Sequence, residues 1–202
     1  MLRGATHQVH VRLNRHSLLV GLTQPGYSLS SYRKLLSAYF QLYSLLEKKI
    51  NQFLGKHPCE LDYSGRRKLP WLSKDIAFFE DGSPAFVLDM PLAQISQEIE
   101  HVGQLIGVLY AIEGSTLGGQ VISRSLAEHL GLTRSKGACF FNGYGEETLN
   151  MWNDFICFAE NIASDANQRI MAEQAACQTF QLFEQVINSL SHEKRNEVLP
   201  ES

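Results

Sequence analysis

Three histidines, His7, His10 and His16, fall within the first helical stretch of the chain. A lone helical histidine is more often a surface or satisfied core residue than a ligand. His10 departs from that pattern, because Thr6, Leu13 and Ser17 share its face, which predicts an inward-pointing imidazole. Arg3 lies seven residues before it. A neutral imidazole of this kind can ligate haem iron, and a cation nearby suits the haem propionates.

A second candidate is Glu113-Gly114-Ser115-Thr116-Leu117-Gly118-Gly119-Gln120, which places three glycines where a helix should run unbroken. Ile95, Ile99, Val102, Ile106 and Leu109 recur upstream at helical spacing, and Val121, Ile122, Leu126 and Leu130 continue to a stop at Gly131. Each interior glycine costs about 1 kcal/mol relative to alanine, against a whole-domain stability of about 5–15 kcal/mol. At about 100° per residue, Gly103, Gly107, Gly114 and Gly118 form one stripe, with Tyr110 and Leu117 beside it. Such a stripe permits close helix packing or lets backbone approach something large and flat, and spacing alone weighs the two equally. The dense glycine and serine cluster also predicts a kink.

Other constellations carry less. Glu98-Ile99-Glu100-His101 holds one Glu-x-x-His, the spacing of di-iron bundles, which need two such motifs and two further glutamates. A solvated helical face accounts for it as well. Ser115 and Ser123 lack the context of a hydrolase elbow. Cys59, Cys139, Cys157 and Cys177 are widely spaced, which predicts reduced thiols rather than disulfides or zinc.

The elements that must hold these residues read as helices. One is expected over Leu2 to Leu22, closed by Gln24-Pro25-Gly26. A second, capped by Ser30 or Ser31, carries Tyr32, Leu35, Leu36, Tyr39, Tyr43, Leu46, Ile50 and Phe53 and ends at Gly55. A loop over 56–64 and a short helix entered at Pro70 follow. Asp81-Gly82-Ser83-Pro84 reads as a turn, the glycine-striped helix occupies 94–130, and 131–146 reads as loop. Helices over 147–163 and 167–190 complete a single all-α domain of residues 1–190, a multi-helix bundle with a kinked helix. Residues 191–202 read as a frayed tail.

The chain has 202 residues, 18 basic and 21 acidic, for a net charge of −3. That balance leaves no electrostatic footprint for nucleic acid. No secretory signal and no apolar run of about 18 residues are apparent, so the expectation is a soluble, cytoplasmic protein without a membrane partner.

Taken together, these motifs resemble the biliverdin-producing haem oxygenases, in their bacterial branch. Leu2-Arg3-x-Ala5-Thr6-x-x-x-His10 is similar to the segment that brings in the proximal histidine, and Glu113–Gly119 to the distal-helix signature. Lys68-Leu69-Pro70-Trp71-Leu72-Ser73-Lys74-Asp75 and Thr179-Phe180-Gln181-Leu182-Phe183-Glu184 fit the scaffold, so the resemblance spans nearly the whole chain. It implies His10 as the axial iron ligand, Arg3 at a propionate, and Gly114 and Gly118 facing the macrocycle, with Tyr110 and Leu117 beside it. Ser115 stands where animal members carry a distal aspartate, which shifts proton delivery to water and backbone.

The implied reaction uses haem as substrate and cofactor, with O₂ and external electrons from a ferredoxin or reductase. It releases biliverdin, Fe²⁺ and CO, for iron acquisition or for a bilin-accepting photoreceptor. A neutral histidine ligand, unlike a thiolate, does not push electrons toward O–O cleavage. The competing classes are a non-haem di-iron oxygenase on the same scaffold and a non-catalytic haem-binding protein.

Overall fold

The computed structural model describes residues 2–79, 87–92 and 98–196, with side chains described through Leu190. Helix α1 spans Leu2–Asn14 and buries Leu2, Thr6, Val9 and Leu13 along one stripe. The helix expected to reach Leu22 stops early, and α2 (Ser17–Gly21) restarts the chain. His16 causes the break: it leaves helical geometry, its ring Nδ1 accepts the Leu18 N–H at 3.3 Å, and its Nε2 lies 3.1 Å from Asn188 Oδ1. His16 is therefore a cap and a tether.

Helix α3 spans Leu29–Lys56, and all eight of its anticipated apolar positions from Tyr32 to Phe53 are buried. Its cap is Ser28 rather than Ser30 or Ser31, with Ser28 Oγ accepting the Ser31 N–H at 3.1 Å. Helix α4 spans Leu69–Phe78 with Pro70 in its first turn, where a missing N–H costs nothing. The turn expected at Asp81–Pro84 lies outside the described residues.

Helix α5 spans Val102–Leu130, continuous through all of its glycines. It begins later than anticipated. Residues 98–100 are not helical, and Gln104 Oε1 accepts the Glu100 and His101 N–H groups at 2.8 and 3.0 Å, closing the N-terminus. Residues 94–97 lie outside the described residues. Gly131 ends α5 at φ 66°, in the left-handed conformation that suits glycine.

By length and composition alone, α5 is apolar enough to cross a membrane. That corrects the expectation that no such run exists. Leu105, Ile106, Leu109 and Ile112 are nonetheless wholly buried within the protein, as the central helix of a bundle requires.

The stretch 131–146, expected to be loop, contains a short helix, α6 (Cys139–Asn142), and a 3₁₀ turn at Gly145–Glu147. Asp75 explains α6, its carboxylate accepting the Cys139 and Phe140 N–H groups at 2.7 and 2.8 Å. Helices α7 (Thr148–Glu160) and α8 (Ala166–Asn196) complete the described chain. α8 runs six residues into the segment expected to be frayed. It packs along α5 and α1, and no strand occurs among the described residues. All four cysteines are free.

Candidate functional site

Arg3, His7, His10 and Asn14 recur at i, i+4, i+7 and i+11 on α1, and all four are exposed. The expectation that His10 points inward is thus corrected. Thr6 and Leu13 face the core, while His10 sits on the shoulder of their stripe, about 100° from buried Val9. Its ring meets Phe180 of α8 edge-on, centroids 5.4 Å apart at 73°. The Asn14 amide nitrogen lies 3.3 Å from Nε2 and 3.4 Å from Nδ1. Partial burial, and then the nearby His7, hold the imidazole below its ordinary pKa, which favours the neutral form that ligates metals.

The glycine stripe divides in two. A Cβ on Gly103 would strike the Gln168 carbonyl, and one on Gly107 would strike the Ala172 carbonyl and, at 2.7 Å, the Ala175 methyl. Those two glycines are consumed by the crossing of α5 with α8. Gly119 is consumed likewise, since its Cβ would lie 2.8 Å from the Phe141 carbonyl.

Gly114 and Gly118 behave differently. A Cβ on Gly114 would lie in ordinary contact with the Trp152 ring at 3.6 Å, and one on Gly118 would meet nothing within 4 Å among the described residues. Around them, Ser115, Leu117 and Val121 are exposed. Ser115 Oγ donates to the Ile112 carbonyl at 2.7 Å and shares a hydrogen bond with the buried Tyr43 phenol.

A run of rings joins α1 to this face. Phe180, beside His10, lies 6.5 Å from Tyr110, and Tyr110 lies 5.7 Å from Trp152, whose ring faces Gly114. The elements therefore present an imidazole, a cation and a side-chain-free strip of helix, linked by an apolar aromatic floor. Such a surface suits a large planar apolar molecule with an acceptor for a nitrogen ligand. Phe180, Trp152 and Asn14 carry no site signal in the sequence, because each is defined by neighbours in other parts of the fold or by helical phase.

Glu98 and His101 do not form the alternative metal centre. His101 precedes α5, and Glu98 Oε1 accepts from Lys49 Nζ at 2.7 Å, so the two do not share a helical face. The described residues contain no group of three or more His, Cys, Asp or Glu side chains placed to hold a metal ion. Next in sequence to Gly114, Glu113 centres a cluster that no local pattern announces, with buried Arg66 and Lys68 and half-buried Tyr144.

Comparison with known proteins gives the family and the fold of the chain. The family profile described as heme oxygenase matches residues 1–189. The chain is 25% identical to a heme oxygenase of Takifugu rubripes over 205 residues, covering 94% of this chain and 72% of that one. The NO- and CO-bound heme oxygenase of Neisseria meningitidis superposes with a TM-score of 0.70 at 22% identity, over 94% of this chain and 90% of that one. Heme oxygenase-2 of Synechocystis, solved with heme and NO, gives 0.75 at 16% identity over 98% and 86%.

Proposed function

As the chain belongs to the haem oxygenase family, whose members are haem-degrading oxidoreductases, we propose that haem seats between His10 of α1 and the Gly114–Gly118 face of α5. Bound there, haem supplies both the iron that activates O₂ and the porphyrin that is oxidised. With electrons from a ferredoxin or reductase, the products are biliverdin, Fe²⁺ and CO. The chain works in the cytoplasm, in the manner of the bacterial branch, to release iron or to supply a bilin-accepting photoreceptor.

The observation that carries this reading is the division of the glycine stripe. Helix packing explains Gly103, Gly107 and Gly119, but a Cβ on Gly118 would enter open space and one on Gly114 would fit at ordinary contact distance from the Trp152 ring, so neither glycine is forced by packing, at the known cost of glycine in a helix. The residues present fit haem. His10 offers an exposed, neutral-favouring imidazole, Arg3 a cation for a carboxylate, and Leu117 and Val121 an apolar margin.

Each residue then has a task. His10 ligates iron, and the Asn14 amide against its ring restrains the imidazole's rotation. Gly114 and Gly118 would offer haem a stretch of backbone without side chains and leave room for water. Ser115 carries no acid, so protons reach the site through ordered water and backbone groups. Tyr110 with Phe180 and Trp152 closes the apolar floor.

Titrating the purified protein with hemin tests binding: a Soret band saturating near one equivalent is expected, and its absence removes the reading. Adding a reductant in air then separates turnover from storage. Growth of biliverdin absorption marks an oxygenase, whereas a stable haem spectrum marks a non-catalytic binder.

A further inference from the structure

Glu113 immediately precedes Gly114, yet its carboxylate points into the protein and is wholly buried, as are the side chains of Arg66 and Lys68 almost completely. Lys68 Nζ donates to Glu113 Oε1 at 2.7 Å, and the Tyr144 hydroxyl donates to Oε2 at 2.8 Å. Arg66 Nη1 donates both to Glu113 Oε2 at 3.1 Å and to the Met151 carbonyl at 2.9 Å. Burying such ions is costly, and apolar side chains of similar volume often do as well for stability. Stability alone does not account for the cluster.

Its connections do. Arg66 ties Glu113 of α5 to the main chain of Met151 in α7, and the residues next in sequence, Gly114 and Trp152, face each other, a Cβ on Gly114 standing 3.6 Å from the Trp152 ring. We infer that Arg66 and Glu113 are positioning residues: their ion pair, braced on Met151, sets how far the Trp152 ring reaches beneath Gly114 and hence the depth at which a planar ligand seats. Neither residue touches that ligand. The inference rests on the haem site proposed above.

The test uses Arg66→Met/Glu113→Gln, which removes one charge of each sign and leaves Lys68 beside the buried Glu47 carboxylate that accepts its backbone N–H. Two readouts are taken on the folded protein. The first is acrylamide quenching of Trp152 fluorescence in the apo-protein, in a Trp71→Phe background so that Trp152 is the only emitter. The second is hemin affinity, with the midpoint of the pH-dependent optical transition of the ferric complex. The expected result is a rise in quenching of about twofold, a loss of hemin affinity of about tenfold and a moved midpoint.

Unchanged Trp152 quenching, or unchanged hemin affinity and midpoint in a folded variant, overturns the inference. If the double variant does not fold, Arg66→Lys keeps the charge but loses the guanidinium Nη1 that bridges Glu113 and the Met151 carbonyl, and the same readouts decide with the same signs. Failure of the unaltered protein to bind hemin would instead remove the functional reading, while the fluorescence arm would still decide the role of the ion pair.

Discussion

Gly107 lies directly against Ala172: a Cβ there would run into the Ala172 carbonyl, so α5 and α8 meet main chain to main chain at that point. Gly103 repeats the arrangement one turn earlier, where its N–H also donates to Gln168 Oε1 at 2.7 Å. Gly107→Ala gains about 1 kcal/mol of helix propensity but forces two backbones apart, and overpacking of this kind costs typically about 1–3 kcal/mol. The apo-protein should therefore lose stability in urea or thermal unfolding, while hemin affinity of the folded fraction holds. Undiminished stability would mean that the crossing yields freely, and that the glycine is not needed there.

Gly118→Leu is the converse. With nothing within 4 Å of its Cβ position among the described residues, the side chain starts into open space in the apo-protein. Leucine is the better helix former, so apo stability should hold or rise by roughly 0.5–1 kcal/mol. Hemin affinity should fall about ten- to a hundred-fold, the equivalent of about 1.4–2.8 kcal/mol. A sharp drop in apo melting temperature with unchanged affinity would return Gly118 to helix packing.

These two variants also mark where the sequence stops being legible. Periodicity identified the face that α3 buries, and Gly131 marked the end of α5, because both are local properties. The same spacing could not tell Gly107 from Gly118, since their difference lies in what α8 places opposite each. The break at His16 and the helix at Cys139–Asn142 depend on Asn188 and Asp75, groups distant in sequence. Arg66 and Lys68 stand 47 and 45 residues from Glu113, so no local pattern pairs them. His10 became a specific candidate through its resemblance to a family segment, and its phase on α1 proved to be a shoulder rather than an inward face.

His10→Ala should abolish turnover and the spectrum of the histidine-ligated complex, because the iron loses its protein ligand. Optical and magnetic spectra of the hemin complex check it. Retention of the same complex with biliverdin production would move the ligand elsewhere on the chain. His16 is already engaged as the cap of α2 and by Asn188, which leaves His7, one turn away on the same exposed face, as the next residue to substitute.

The pH dependence of hemin binding follows from the same imidazole. Burial first, and His7 second, lower the pKa of His10 in the folded protein below 6.5. As pH falls, the unfolded chain therefore takes up its proton before the folded one does. The fold loses stability from this group as pH drops through about 6.5 toward the lowered value, and carries no such penalty above it. Protons compete with iron for the ring only below the folded pKa, since the neutral form is the ligand. Hemin affinity should stay level from about pH 8 down to about 6.5, then weaken by up to about tenfold per unit below the folded pKa. His7→Gln removes one of the two depressing influences, so the onset should move to higher pH while the affinity at pH 8 stays unchanged. Parallel hemin titrations of the two proteins across this range decide the matter. A decline that begins above pH 6.5 in the unaltered protein, or an onset identical in both, would contradict His10 as the titrating ligand.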